Sequence, residues 1–350
     1  MRKRFILTCL WSAAVLLVVI IAAPFIGPHS VSLGKALSDP ASVDAQVIFW
    51  IRTPRVLMAA LAGGTLAVSG VAFQALLRNP LAEPFTLGVS SGASLGAVLA
   101  ILTGADILFL GFSAVPLFAF AGALLAVFIV YILARSNSIK RGGKRKKSSR
   151  GYKGWGNSKA LPTSTLLLAG VCLAFTFHSL ILLAHYLADY GNSYRMLRWL
   201  MGGLDITSMK SILQVFPFSV AGLAFIGVMS RSFNVLSGGE EVAQSRGINV
   251  RQLQKYTYFA ASLSTAAVVT AVGPVGFVGL MVPHVTRRLV GPDHRMLIPA
   301  SFGLGGVFLV VCDTMGRTLL APTELPVGVV TALVGGPFAI ILILKSRRTL

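Results

Sequence analysis

Apolar residues in this chain fall in long unbroken runs, separated by short stretches that carry most of the charge. The runs lie near 5–27, 53–75, 88–104, 113–134, 163–187, 212–230, 258–273, 277–289, 296–315 and 327–344. Most approach the roughly 20 residues a helix needs to cross the hydrocarbon of a bilayer. Their continuity predicts helices, because a membrane β-strand alternates apolar and polar positions. The pattern therefore predicts an all-α, polytopic membrane protein of about ten transmembrane helices in one domain over 1–350. The runs 88–104 and 277–289 are short for a full crossing and fit best when packed inside the bundle. Gly273-Pro-Val-Gly276 divides 258–289 into two spans.

Composition agrees. Of 350 residues, 55% are hydrophobic and 12% charged, and the mean hydropathy is +0.78. A soluble domain carries roughly 25% charged residues. The net charge of +20 resembles a nucleic-acid signal, but its placement argues otherwise, and no nucleic-acid partner is expected. Ten basic residues and no acid fall between 135 and 159, half the excess, and nine of them lie in one cytoplasmic insert, 136–160. With the N-terminus inside and the spans alternating, the inner segments hold 24 basic residues and the outer ones 7. Without the insert the ratio is still 14 to 7. The positive-inside rule then puts both termini in the cytoplasm. The first apolar run exceeds the h-region of a cleaved signal peptide and reads as a span. Cys9, Cys172 and Cys312 lie far apart inside apolar runs and read as small core hydrophobes.

Candidate chemistry is sparse. Only eleven carboxylates occur, and the membrane-adjacent ones, Glu83, Asp313 and Glu324, stand at span ends. A proton- or sodium-coupled carrier usually holds an ionisable group near the midplane, so the absence of a mid-span carboxylate pair argues against that class. No nucleotide-binding loop is present. Leu236-Ser-Gly-Gly-Glu240 imitates an ATPase signature, but without a phosphate loop and a magnesium-binding acid it cannot hydrolyse ATP. The chain is thus read as a non-enzyme with no catalytic residues and no metal site. Segment 231–257 reads as a cytoplasmic docking surface. Ser237 is placed to cap a short helix through Glu241–Arg246, Gly247 ends it, and a second short helix follows from Arg251. His178 and His185 share a helix face, which suits haem ligation or, more simply, interhelical hydrogen bonding. Gly88, Gly92 and Gly96 form a small-residue ridge for close helix packing.

Several motifs together carry a family resemblance. They are Arg52-Thr-Pro-Arg55, Ser69-Gly-Val-Ala-Phe-Gln74, Arg78-Asn-Pro-Leu-Ala-Glu-Pro84 and Leu87-Gly-Val-Ser-Ser-Gly-Ala93. Further along come Arg198-Trp-Leu-Met-Gly202, Gly273-Pro-Val-Gly-Phe-Val-Gly-Leu-Met-Val-Pro-His284, Gly291-Pro-Asp-His-Arg295 and Glu324-Leu-Pro-Val-Gly-Val-Val330. In this order the chain resembles the FecCD-type permeases of bacterial ABC importers, which take up iron-siderophores, haem or cobalamin. The resemblance implies a type II importer fold like that of the cobalamin importer, and a homodimer in the bacterial inner membrane. A separate ATPase subunit, with its ATP and magnesium, would dock below, and a periplasmic or lipid-anchored substrate-binding protein above. No cofactor would be bound by this chain. A ferric siderophore is the preferred cargo, with haem or cobalamin as alternatives and a proton-coupled carrier as the rival class.

By the same resemblance, Arg52, Arg55 and Arg317 would receive glutamates of the binding protein. Asn79, Leu81, Thr163 and Ser164 would form the cytoplasmic gate. Ser237, Glu240, Glu241 and Gly247 would belong to the ATPase-coupling surface, where Gly238 and Arg246 replace leucines usual in the family. The insert 136–160 departs most from the family, and its composition suggests disorder, attraction to anionic lipid headgroups, and a tether acting on the gate.

Overall fold

The computed structural model describes residues 2–29, 31–105, 108, 113–143, 163–204 and 208–346. The insert 136–160 thus falls largely outside the described residues, which end at Gly143 and resume at Thr163. All regular elements among the described residues are helical. The order is α1 (Arg2–Ala22), α2 (Leu33–Ser38), α3 (Val43–Ala45), α4 (Thr53–Leu77), α5 (Val89–Thr103), α6 (Ala114–Gly143), α7 (Thr163–Leu187) and α8 (Tyr190–Leu200). There follow α9 (Met209–Val228), α10 (Ser230–Ser237), α11 (Glu240–Ser245), α12 (Val250–Val272), α13 (Val278–Val290), α14 (His294–Thr318) and α15 (Val327–Ser346).

Each of the ten apolar runs becomes a helix. Six helical segments are long and apolar enough to cross a membrane, and α5 and α15 are shorter apolar helices. The run expected at 258–273 starts earlier, at Val250, because Asn249 caps it there by accepting the Gln252 N–H at 3.1 Å. This absorbs the short helix expected from Arg251. The break at 273–276 is confirmed, so α12 and α13 are separate helices.

Helix α4 is the axis of the bundle. Within its apolar window 89% of the residues are buried, against 6% for α1, which lies on the outside. Around α4 pack α14, α12, α13 and α9, while α5 pairs with α6. Lipid is as apolar as a leucine side chain, so these contacts rest on close packing and hydrogen bonds rather than on escape from water. Two places show how close. A Cβ on Gly70 would stand 1.9 Å from the Gly279 carbonyl oxygen, and one on Gly96 would stand 2.0 Å from the Phe118 oxygen. The expected glycine ridge is therefore real at Gly92 and Gly96, which face α6. Gly88 is not part of it, because with φ +82° it caps α5 instead. Of the three cysteines only Cys312 is a core residue; Cys172 is exposed on α7, whose outer face is itself apolar.

Candidate functional site

The arginines at 52, 55 and 317 converge at one end of α4 and α14. Pro54 in the first turn of α4 removes a backbone donor that would have no partner, so the helix starts cleanly beside them. Arg55 donates from Nε to Asp313 at 2.9 Å and from Nη1 to Glu324 at 2.7 Å. Arg317 pairs with the other Asp313 oxygen at 3.1 Å and donates to the Ile26 carbonyl and the Thr314 hydroxyl. Arg52 donates to the Pro24 and His29 carbonyls. The three residues are only 5%, 8% and 3% exposed. Arg55 and Arg317 share Asp313, Glu324 caps Arg55, and Arg52 stands beside them on backbone carbonyls, so the cluster is net positive by one. Removing one member of such a buried network typically costs about 3–5 kcal/mol, because the others stay buried without their partner. Asp313 was legible in the sequence as one of few carboxylates near a span end. Its pairing across 258 residues of chain was not.

The opposite end of α4 holds the candidate gate. Arg78 adopts φ +49° and stops the helix, and the Asn79 side chain accepts the Leu81 N–H at 3.0 Å to fold the turn. Thr163 and Ser164 open α7. About two turns further along α7, Gly170 lies against Thr86 and Leu87, so α7 and the segment after the Asn79 turn are in contact. Three residues not anticipated from the sequence tie this turn to the break between α12 and α13. Gln74 donates to the Gly279 and Leu280 carbonyls at 3.2 and 3.4 Å, and its oxygen accepts from Arg287 at 3.2 Å. Glu83 is 8% exposed, its Oε2 has no partner among the described residues, and it accepts the Phe277 N–H. Burial pushes the Glu83 carboxyl up to about 7, against the lowering effect of that hydrogen bond. Phe277 sits at φ +67°, a conformation rare for a residue with a side chain. Its ring fills the space beside Gly335 on α15. A signal for this site was present in Gly273-Pro-Val-Gly276, but no local pattern names Glu83 as its neighbour.

The expected coupling segment forms two short helices, α10 and α11, joined at Gly238–Gly239. Ser237 closes the first helix, donating its hydroxyl to the Phe233 carbonyl at 2.9 Å, and does not cap the second. Gly239, at φ +115°, occupies that capping position. Glu240 and Glu241 stand in the first turn of α11, where the helix dipole favours them, and Gly247 ends the segment at φ +78°. Glu241, Ser237 and Gly247 are exposed, and buried Phe233, Leu236 and Ala243 fix the pair of helices to the bundle. The imitation signature Leu236–Glu240 is thus a helix joint. His178 is exposed and His185 half-buried on α7, and no cluster of three or more metal-ligating side chains occurs among the described residues.

A buried axial helix, broken inner helices and a paired-helix surface at one end describe an ABC importer permease of the type II fold. The FecCD transport family model matches residues 15–144 and 154–345. The chain belongs to that family. It is 40% identical over 306 residues to the cobalamin import permease BtuC of Halobacterium salinarum, covering 87% of this chain and 75% of that protein. It is 34% identical over 348 residues to the hemin transport permease HmuU of Yersinia pestis, covering 95% and 94%. It is 33% identical over 308 residues to the iron(3+)-hydroxamate import permease FhuG of Bacillus subtilis, covering 87% and 85%. A solved metal-chelate type ABC transporter in an inward-facing conformation superposes with a TM-score of 0.79 at 28% identity, covering 96% of this chain and 98% of that one. The protein is accordingly a multi-pass membrane permease of the ABC importer class.

Proposed function

We propose that this chain is one half of a homodimeric permease that imports an iron chelate, a ferric siderophore first among the candidates. The observation that carries the chelate class is family membership, with relatives that bear iron-hydroxamate, citrate and hemin transport names. Cobalamin is the second reading, favoured by the 40% identity to a cobalamin permease. Both chain ends face the cytoplasm. The energy comes from ATP and magnesium held in a partner ATPase that grips this surface around Glu240, Glu241 and Gly247. Asn79, Leu81, Thr163 and Ser164 close the cytoplasmic end of the path.

The substrate-binding protein, periplasmic or lipid-anchored, docks on the opposite rim. The burial of Arg52, Arg55 and Arg317 supports a particular version of that contact. The network fixes the shape and net positive potential of the rim, which orients an acidic partner and raises its association rate. Glutamate at position 55 would stand beside Asp313 and Glu324, so charge reversal there damages the fold as well as docking. The cargo is tested by titrating the purified cognate binding protein with ferric siderophores, haem and cobalamin. Tight binding of a ferric siderophore alone is the expected result. Tight binding of cobalamin alone would overturn the cargo while leaving the importer standing.

A further inference from the structure

A cavity of about 770 Å³ opens where α1 begins, α9 turns into α10 and α14 begins. This is the end of the molecule that carries the coupling helices. Phe5, Val228, Ile298 and Pro299 supply an apolar wall, and Arg231 and Arg295 supply the charge. Phe5 and Val228 are 41% and 73% exposed, and α1 is the outermost helix, so the opening faces the surroundings of the bundle rather than its core. Arg295 pairs with Asp293 at 2.8 Å. Arg231 has no ionic partner among the described residues and is exposed. Lys3 is exposed two residues before Phe5, so basic residues outnumber acids at this corner.

One lining residue, His294, is tied into the turn before α14. His294 is 5% exposed and lines the cavity. The Asn234 side-chain oxygen accepts the His294 backbone N–H, and Asn234 donates from its nitrogen to Asp293. That oxygen is also 2.8 Å from His294 Nδ1, which must therefore be the protonated nitrogen. Nε2 is left as an acceptor with no partner among the described residues.

Basic groups over an apolar slot at a membrane-facing corner match one ligand chemistry, a phosphate diester on acyl chains. We propose that this cavity binds one anionic phospholipid. Its phosphate lies between Arg231 and Arg295, and one acyl chain follows Phe5, Val228, Ile298 and Pro299. The occupant would brace the start of α10 and so set the stance of the coupling helices. The proposal rests on the membrane-permease reading, but its test reads lipid mass rather than transport.

The test is native mass spectrometry of the full chain released from bilayers of equal phosphatidylglycerol and phosphatidylcholine with matched chains. One phosphatidylglycerol should stay bound in preference to phosphatidylcholine. Arg231→Ala should weaken retention about fivefold, the worth of one basic residue at a membrane surface. Gly227→Trp should abolish retention with every charge intact, because nothing lies within 4 Å of a Cβ there and the ring can enter the slot without a clash. Thermal midpoints of both variants confirm that they fold. Equal retention of the two lipids, or unchanged retention in both variants, would overturn the site. So would displacement of the adduct by inorganic phosphate, which would mark an ion site, or loss of ATPase association in Arg231→Ala with lipid retention unchanged. Failed transport with the adduct intact would count against the importer and for the lipid site.

Discussion

Glu83 is the residue whose chemistry the structure changes most. In sequence it is one letter of the Asn79–Pro84 turn; in the fold it is a buried carboxyl clasping the Phe277 N–H across the break between α12 and α13. Its folded pKa of about 7 lies above the ordinary carboxylate value of 4.5. Between those values the unfolded chain has released a proton that the folded chain keeps. The protonated clasp therefore contributes fully below about pH 4.5 and loses its contribution as pH rises through about 7. That difference is worth on the order of 3 kcal/mol at most. Glu83→Gln keeps the neutral shape and removes the titration. The thermal midpoint of the purified wild-type protein should fall between pH 5 and pH 8.5, and that of Glu83→Gln should fall visibly less. Parallel pH profiles for the two proteins would show that Glu83 is not the group responsible.

At the scale of elements, each apolar run was legible as a helix, and six helical segments have the length and apolarity that bilayer thickness demands. The ends of α4 and α13 were legible too, since proline and glycine stand there. The start of α12 was misread because Arg251 and Lys255 were given to a separate short cytoplasmic helix, whereas Asn249 caps one continuous helix that carries them on its first turns. Contacts between elements were the hidden part. The pairing of Arg55 with Asp313 and Glu324, and of Gln74 with Gly279, joins residues more than 200 positions apart, which no local period encodes. The candidate gate turn and coupling surface were found as motifs, and the rim arginines were found without their inward partners. The closest of these hidden contacts yields a prediction. Gly70→Leu forces a side chain into the Gly279 backbone, so α4 and α13 must separate. Overpacking of this kind typically costs 1–3 kcal/mol or more, and the purified variant should lose its cooperative thermal transition or unfold several degrees earlier. A wild-type midpoint would mean that α4 and α13 are not in this contact.

For the whole molecule, the account joins two ends through one helix. Helix α4 runs from the Arg52–Arg55–Arg317 cluster to the Asn79–Leu81 turn, buried almost throughout; in the proposed importer it connects delivery at one rim with release at the other. In the proposed importer a partner ATPase pushes on the surface formed by α10 and α11 and supplies the power. The most direct measurement is uptake of a radiolabelled ferric chelate into proteoliposomes holding the permease and its ATPase, with the binding protein supplied outside and ATP inside. Uptake should require both ATP and the binding protein and should survive collapse of the proton gradient. Substituting Glu240 and Glu241 together with lysine should abolish ATP-driven uptake while the permease remains folded. Uptake that continues without ATP and stops when the proton gradient is collapsed would contradict the account.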